Sequence, residues 1–292
     1  MRVLILGGNG MIGHKMYQVL ANYYADTWVH LKRKIEHVAF SEIFNKDKVI
    51  DNFDLVQFDK LNSILDTLSP DVIINAAGIT IRRGINENKH TSILVNSALP
   101  HFLDNWSKHN HKRLIHFSTD CVFSGKNGFY SESSLTDAVD TYGKTKALGE
   151  VISQNTLTLR GSMIGRELEN KTELLEWFLN QNEAIVKGFT NVIYSGITTI
   201  RMANYVHKII RDFPDMHGIY NISSNSISKY ELVNLFNTYF NKGASIVQDN
   251  SYTTNKDLDS TKFFKETGLF KPNWNELVEE LLIDCKLNSK YY

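Results

Sequence analysis

The pattern of hydrophobic and polar residues in the first half of the chain predicts buried strands that alternate with amphipathic helices. Residues 2–6 form a short apolar run typical of a buried strand, and apolar side chains between Ile12 and Tyr23 then recur at helical spacing. Further strands are expected at 27–31, 53–58, 72–77, 113–118 and 157–160, and further helices at 61–68, about 88–108 and around 142–152. This alternation predicts a Rossmann-type, doubly wound parallel sheet of the α/β class.

The second half of the chain alternates less regularly. We expect a dinucleotide-binding Rossmann domain formed by residues 1–160 together with about 197–225. A smaller α/β substrate-binding lobe would take about 161–196 and 226–292, interleaved with the first because no Pro/Gly-rich linker separates them. The expected elements here are helices at 171–182, 199–210, 228–240 and 275–286 and a strand at 218–223.

A glycine-rich turn, GGNGMIG, joins the first predicted strand to the first helix, which is the context of a dinucleotide fingerprint. Gly7 would allow the tight turn, Gly10 would let the backbone approach a pyrophosphate, and Gly13 would let the helix pack close to the sheet. The diphosphate would rest on free N–H groups at the helix start, at Met11 and Ile12. The spacing is GxxGxxG rather than GxGxxG, and an ordinary tight connection is the alternative interpretation.

A second motif, YGKTK, predicts acid–base chemistry. Tyr142 and Lys146 are four residues apart, so on a helix they share one face. A nearby ammonium favours the phenolate and lowers the tyrosine pKa from about 10 toward neutrality. Such a tyrosine can exchange a proton with a sugar or alcohol oxygen. We expect this helix to pack through Leu148, Val151 and Ile152.

Composition excludes several classes of function. The 292 residues are 42% hydrophobic, enough for a substantial core in one large or two modest domains. Lys+Arg and Asp+Glu both number 32, so we expect no nucleic-acid surface. Cys121 and Cys285 offer neither a disulfide framework nor metal-site spacing and suit a reducing compartment. No apolar stretch reaches membrane-spanning length, so we expect a cytoplasmic protein with no membrane partner.

The ordered motifs together resemble the extended short-chain dehydrogenases/reductases. The block STDxVFxG followed by YxxTKxxGE is similar to the dTDP-4-dehydrorhamnose reductase branch of that family. GIYNIS at 218–223 and LDSTKFFKETG at 258–268 also resemble this branch, so the resemblance covers nearly the whole chain. The motifs that carry it are GGNGMIG at 7–13, Asp59, NAAG at 75–78, Asn96, STDCVFSG at 118–125 and YGKTK at 142–146.

The resemblance implies reduction of a carbonyl group. Tyr142 would give a proton to the substrate carbonyl oxygen, while Lys146 would hold the nicotinamide ribose and lower the tyrosine pKa. Thr119 would hydrogen-bond the same carbonyl and polarise it. The hydride would come from the nicotinamide, because no side chain can supply one. Ser118 is the alternative hydroxyl, but strand alternation would turn it away.

The resemblance also implies positions that contact the cofactor. Asn96 would support the lysine through water, or it would satisfy a backbone group as an ordinary polar residue. Asp59 would lie near the adenine, or it would cap the helix that begins at Lys60. The cofactor would pass over three small residues, which close packing would equally explain: Ala76, Ala77 and Gly78.

The end of the second predicted strand, HLKRK at 30–34, bears on the choice of cofactor. NAD-binding sites usually place Asp or Glu here for the ribose 2′-OH, and this stretch has no acid. Arg33, with Lys32 or Lys34, could pair with a 2′-phosphate in a forked geometry. We therefore expect NADPH, with NADH possible; a solvated charge run in a surface loop is the alternative interpretation.

The substrate side offers fewer signals. The candidates for substrate contact are Asp120, Cys121, Phe123 and Arg160. The branch usually has Tyr where this chain has Cys121, so the smaller thiol could admit a different sugar substituent. Arg82 and Arg83 could reach a sugar-nucleotide diphosphate, although such side chains more often form surface ion pairs. We expect no metal, because the acidic residues that some members use to bind magnesium at a dimer interface are not found.

The predicted function is NADP(H)-dependent reduction of the C4 keto group of a nucleotide-activated 4-keto-6-deoxy sugar, in polysaccharide or glycan precursor synthesis, with a homodimer possible. One alternative is an epimerase or dehydratase on the same fold. Asp120 stands where a dehydratase carries an acid, but the usual Glu beside it is missing. Another is a non-catalytic binding protein like the regulatory beta subunit of methionine adenosyltransferase. The intact set of Thr119, Tyr142 and Lys146 argues against lost catalysis.

Overall fold

The computed structural model describes residues 1–80 and 88–292. The strands of this part of the chain are β1 (Arg2–Leu6), β2 (Asp26–His30), β3 (Val49–Ile50), β4 (Val72–Asn75), β5 (Arg113–Ser118), β6 (Thr156–Arg160), β7 (Met163–Ile164), β8 (Ile185–Phe189), β9 (Val192–Tyr194), β10 (Ile197–Thr198), β11 (Gly218–Asn221), β12 (Ile227–Ser228), β13 (Ser245–Asp249) and β14 (Thr254–Asn255). The α-helices are α1 (Met11–Leu20), α2 (Phe58–Leu68), α3 (Lys89–Ile93), α4 (Leu99–His109), α5 (Thr141–Leu148), α6 (Leu174–Leu179), α7 (Thr199–Asp212), α8 (Lys229–Tyr239), α9 (Thr261–Thr267) and α10 (Trp274–Leu287).

Seven strands form one sheet in the order β11-β6-β5-β4-β1-β2-β3, and every pairing in it is parallel. From β1 the chain builds outward through β2 and β3, then crosses to the other side of β1 and continues through β4, β5 and β6. This is the predicted Rossmann-type doubly wound sheet. In such sheets ligands bind beyond the carboxyl ends of the strands, where the order reverses. That point lies between β1 and β4.

Helices cover both faces of the sheet, and β1 shows how the core divides. Val3 and Ile5 belong to one hydrophobic cluster, shared with α1 and α7. Leu4 and Leu6 point to the opposite face and belong to a second cluster, shared with α2 and α4. Because both faces are buried, the strand is a continuous apolar run rather than an alternating one.

The second half of the chain forms three small sheets and returns once to the main one. β7 pairs with β10, β8 pairs with β13, and β9 lies between β12 and β14. β11 then joins the main sheet beside β6. The expected domain bounds stay a prediction. Within residues 1–80 and 88–292, every helix is too short or too polar to cross a membrane.

The prediction of a strand at 53–58 is wrong. The third strand is instead the two-residue β3, and α2 begins at Phe58, three residues earlier than expected. Phe53 and Leu55 are apolar because they pack in the second core cluster from an irregular segment. Hydrophobic periodicity cannot distinguish such a buried loop from a short strand.

Two predicted helices also differ in detail. The helix expected at about 88–108 is α3 and α4 joined by a π-helical turn, Leu94–Ala98. The helix that carries the YGKTK motif ends at Leu148, which is 65% exposed, and Ile152 is 76% exposed beyond it. Only Val151 of the three expected packing residues is buried. The helix is too short for a continuous packing face to develop.

Candidate active site

The glycine turn brings the start of α1 to the carboxyl end of β1. Gly7 has a φ of 82°, in the left-handed region that favours glycine, and its carbonyl accepts a hydrogen bond from Gly10 N at 3.1 Å. A Cβ at Gly13 would lie 2.1 Å from the Gly7 oxygen, so only glycine lets the helix approach the strand this closely. Gly10 is the N-cap and has no side chain for capping, which leaves the N–H groups of Met11 and Ile12 for a ligand.

Two adjoining cavities form a groove across the point where the strand order reverses. The first, of about 300 Å³, is lined by the start of α1 and by residues that follow β5 and lie on α5. The second lies beyond β1 and β2 and is lined by His30, Lys32, Asp54 and Leu55 among others. Four residues line both cavities: Gly10, Ala76, Ala77 and Gly78. An uncapped helix start and a floor of small residues fit an extended dinucleotide.

Helix α5 places Tyr142 in the first cavity. Asp140 caps this helix, with its Oδ1 accepting from Gly143 N at 2.9 Å. A Cβ at Gly143 would lie 2.2 Å from Cys121 O, so the helix packs directly on the turn that follows β5. This packing brings the Tyr142 phenol next to the Thr119 hydroxyl, and both residues line the first cavity. Lys146 lines the same cavity.

The two hydroxyls at the end of β5 point in different directions. Ser118 Oγ donates to Glu150 Oε1 at 2.6 Å, away from Tyr142, as strand alternation predicts. Thr119 Oγ1 donates to Asp120 Oδ1 at 3.0 Å and accepts from Cys121 N at 3.2 Å. The threonine hydroxyl is therefore the one that can meet a substrate oxygen beside the phenol.

The electrostatics of the tyrosine differ from the prediction. Burial raises the pKa of Tyr142 well above 10, nearby Cys121 and Asp120 add to the rise, and the neighbouring Thr119 hydroxyl opposes it. The expected lowering by Lys146 is wrong for this arrangement. Its ammonium instead donates to Phe117 O at 2.6 Å. A phenol with a raised pKa carries its proton at neutral pH and releases it only to a strong base, such as the oxyanion formed when a carbonyl accepts a hydride.

Burial also acts on the lysine and on the nearby thiol. It lowers the pKa of Lys146 to about 8, while the Glu150 carboxylate opposes the shift. Burial raises the pKa of Cys121 to about 12, with Asp120 adding to the rise. Cys121 therefore lines the cavity as a neutral thiol and not as a nucleophile.

Asn96 lies in the π-helical turn and binds the backbone beyond β4. Its Oδ1 accepts from Ile79 N at 2.9 Å, and its Nδ2 donates to Ile79 O at 2.9 Å and to Thr145 Oγ1 at 3.1 Å. These contacts match the interpretation of Asn96 as a polar residue that satisfies backbone groups. It links the floor of the groove to α5 at Thr145, the residue directly before Lys146.

Two of the expected substrate contacts belong to the core instead. Arg160 is 1% exposed and forms a forked pair with Glu150, at 2.8 and 2.7 Å. Its guanidinium lies 4.9 Å from the ring centroid of Phe123, and that ring stacks on Tyr130 at 4.1 Å. The assignment of Arg160 and Phe123 to substrate binding is wrong, because burial and these partners occupy both side chains. Asp120 is also buried, but it lies beside Thr119.

The residues that line the second cavity, where the adenosine is expected, also differ from the prediction. Asp59 is neither at the cavity nor an N-cap: it lies in the first turn of α2, whose N-cap is Gln57. The acid that lines this cavity is Asp54. Its carboxylate pairs with Lys32 Nζ at 2.7 Å. Because the third strand was predicted too late in the sequence, the acid was expected at Asp59, five residues after Asp54.

Several cavity residues come from the second half of the chain, where the sequence shows no motif. Glu173 lines the first cavity, close enough for its charge to raise the pKa of Tyr142 behind the larger effect of burial. The Lys256 side chain lies close enough to Cys121 to oppose the rise in the pKa of the thiol. Arg82 and Arg83 lie outside the described residues. Among residues 1–80 and 88–292, we find no cluster of three or more His, Cys, Asp or Glu side chains that could hold a metal ion.

Comparisons with known proteins agree with this geometry. The family model described as the RmlD substrate binding domain matches residues 1–182. A dTDP-4-dehydrorhamnose reductase from Aggregatibacter actinomycetemcomitans is 27% identical over 231 residues, which is 76% of this chain and 73% of that protein. A dTDP-4-keto-6-deoxy-D-glucose reductase from Streptomyces niveus is 30% identical over 164 residues, 56% of this chain and 51% of that protein.

A solved structure shows the same fold. It is a dTDP-4-dehydrorhamnose reductase from Bacillus anthracis in complex with NADP, with a TM-score of 0.79 and 19% identity, and the alignment covers 97% of this chain and 99% of that one. Because the family model spans more than half of the sequence, the chain belongs to the RmlD substrate binding domain family and, with it, to the extended short-chain dehydrogenases/reductases.

Proposed function

We propose that this NAD(P)H-dependent oxidoreductase reduces the C4 keto group of a nucleotide-activated 4-keto-6-deoxy sugar, with NADPH as the reductant. The observation that carries the proposal is the meeting of Thr119, Tyr142 and Lys146 in one cavity with the uncapped start of α1. Two relatives named for reductases of dTDP-linked keto sugars support the substrate class. The product would enter the synthesis of a polysaccharide or glycan precursor.

Each of the three side chains has a defined task in this proposal. A bound nicotinamide would supply the hydride. Tyr142, kept protonated by its raised pKa, would give its proton to the oxyanion that forms on the substrate. Rotation of the Thr119 hydroxyl would turn its proton from Asp120 to the same oxygen and stabilise the developing charge. Lys146, anchored on the Phe117 carbonyl, has two further N–H donors for the nicotinamide ribose.

The cavity walls would keep water from the reacting atoms. Met11, Ile12 and Met163 bring apolar side chains to the cavity that holds the phenol. A drier site strengthens the interaction of the two hydroxyls with a developing oxyanion. The walls and the hydroxyls together favour carbonyl reduction over simple binding.

The test is a stoichiometric assay with the purified protein. We expect loss of NADPH absorbance only when a dTDP-linked 4-keto-6-deoxy sugar is present, with one alcohol formed for each NADPH consumed. The matched control substrate is the same sugar nucleotide with a hydroxyl at C4, which should leave NADPH unchanged. Unchanged NADPH with the keto sugar at high enzyme concentration would contradict the proposal.

Glu173 supports a second candidate, an epimerase or dehydratase. Its carboxylate lines the cavity that contains Tyr142, so the site holds an acid–base group besides the phenol. Both reactions begin with loss of a hydride from a sugar carbon to the oxidised cofactor and a proton from its hydroxyl; a dehydratase also needs a group that takes a proton from a neighbouring carbon, and both reactions return the cofactor to its starting state. Sugar conversion without net loss of NADPH, detected by chromatography of the nucleotide sugars, would select this candidate.

A further inference from the structure

A segment from the second half of the chain contacts Asn9, one of the residues that line the second cavity of the groove. We call residues 165–173, between β7 and α6, the strap. Glu167 accepts hydrogen bonds from Thr172 N at 2.6 Å and Glu173 N at 2.7 Å, which folds the strap back on itself. Asn170 and Lys171 have φ of 67° and 49°, in the left-handed region, so the bend between them is tight. This conformation directs Glu169 toward residues 9–39 of the chain.

The Glu169 carboxylate binds three separate parts of the dinucleotide-binding region. It forms an ion pair with the guanidinium of Arg33, just beyond β2. It also accepts from Asn9 Nδ2 in the glycine turn at 3.4 Å and from Ala39 N at 3.2 Å. Its side chain is 19% exposed, whereas that of Arg33 is 52% exposed. The carboxylate is therefore the less exposed and better-held member of the ion pair.

This arrangement changes the expected effect of the basic stretch after β2. Two of the three cations that could bind a 2′-phosphate already pair with carboxylates, Lys32 with Asp54 and Arg33 with Glu169. A phosphate that approached the Arg33 guanidinium would also approach Glu169, and like charges repel. NAD-binding sites usually carry an acid at the end of the second strand. Here the acid comes from the strap, more than a hundred residues away in the sequence.

We propose that Glu169 sets the discrimination between NADPH and NADH by holding Arg33 and opposing the 2′-phosphate. The affinity for the phosphorylated cofactor is then lower than the basic stretch alone predicts, and the strap is the element that limits it. This inference rests on the proposed function only in taking the groove as the site of a nicotinamide dinucleotide.

The test measures binding of the adenosine half of each cofactor by calorimetry, so it needs no turnover. The probes are 2′,5′-ADP and 5′-AMP. Glu169→Gln removes the charge but keeps an oxygen for Ala39 N, and we expect it to bind 2′,5′-ADP on the order of tenfold more tightly. Affinity for 5′-AMP should change by less than about twofold. Glu183→Gln, an exposed acid in the same half of the chain, is the matched control and should change neither value.

A double variant tests whether Glu169 acts through Arg33. In the Arg33→Ala background, Glu169→Gln should favour 2′,5′-ADP by a smaller factor than in the parent protein, because no cation is left to be released and only the charge repulsion is relieved. Circular dichroism and thermal unfolding check each variant, and Glu169→Ala serves in place of Glu169→Gln if the latter is unstable. Equal gains for both probes, no gain for 2′,5′-ADP, or a gain that is undiminished without Arg33 would each overturn the proposal. Failure to reduce a keto sugar would overturn the proposed function and leave this result standing.

Discussion

At the scale of single residues, burial outweighs charge in setting the chemistry of the site. The Tyr142–Lys146 spacing predicts an ammonium that lowers the phenol pKa, but the ammonium binds the Phe117 carbonyl and burial raises that pKa. The tyrosine is thereby protonated in its resting state. Arg160 shows the same principle, because its buried guanidinium is held by the forked carboxylate of Glu150 and is 1% exposed.

Replacing the phenol tests its role as acid. Tyr142→Phe should lower kcat by about 10²- to 10⁴-fold, the range of general acid catalysis, because the ring remains and the proton is lost. Binding of NADPH, measured by calorimetry, should stay within about threefold, since the ring still fills the cavity. Tyr252→Phe, which alters an exposed tyrosine, is the control and should be as active as the unmodified protein. Full activity in Tyr142→Phe would remove the tyrosine from the mechanism.

At the scale of elements, helix caps and turns hold the catalytic side chains in place. Asp140 caps α5 two residues before Tyr142, and the π-helical turn directs Asn96 to the backbone beyond β4. Asn96 and Ser97 both bind Thr145, so the turn and α5 are joined by two hydrogen bonds. Bulges of the π type are frequent at functional sites, and this one positions α5 over the groove.

The cap on α5 should matter more for activity than for stability. Asp140→Ala should lower the free energy of unfolding by about 1 kcal/mol, the usual cost of a lost N-cap, and should lower kcat as the first turn of α5 loosens around Tyr142. Urea unfolding and the NADPH assay measure the two effects.

Helix α10 offers the control for this prediction. Asn273 caps it in a capping box with Glu276, and neither residue lines the groove cavities. Asn273→Ala should cost a similar free energy with kcat unchanged. If both variants lost kcat equally, the effect would be one of global stability and not of the position of Tyr142.

At the scale of the whole molecule, the site depends on contacts between distant parts of the chain. The glycine turn, β5 and α5 come from the first half, whereas Met163, Glu169 and Glu173 come from the second. The core also buries several histidines at the centre of this arrangement. Their neutral state ties the stability of the molecule to pH.

Acid should destabilise the protein through these histidines. Burial lowers the pKa of His14 to about 3 and that of His30 to about 4, and it lowers the pKa of His116 well below 6.5. The folded state keeps these groups neutral, while the unfolded chain takes up protons below about pH 6.5. As the pH is lowered from 6.5 to about 4, the free energy of unfolding should therefore decrease, by up to about 1.4 kcal/mol per pH unit for each histidine.

Urea unfolding at several pH values measures this dependence. His30→Gln removes one of the buried groups and should make the decline shallower than in the unmodified protein. His109→Gln changes an exposed histidine and should leave the decline as it was. An identical pH dependence in His30→Gln would exclude His30 as a source of acid sensitivity.

The features that could be predicted from the amino-acid order alone are those made by neighbouring residues. The strand–glycine–helix turn and the Tyr142–Lys146 helix follow from backbone geometry over a few positions, and the doubly wound sheet follows from alternating periodicity. The prediction of the third strand was wrong because Phe53 and Leu55 are apolar for another reason: they pack in the core from an irregular segment. Periodicity reports burial, and burial here does not imply a strand.

Only the folded structure determines which residues form ion pairs when they are distant in the sequence. The chain shows a basic stretch around Arg33, but it cannot show that Glu169 neutralises this arginine or that Glu150 occupies Arg160. The direction of the Tyr142 pKa shift likewise depends on how completely the core encloses the phenol. Ion pairing and desolvation depend on distances and burial in three dimensions, and these are properties of the packed molecule.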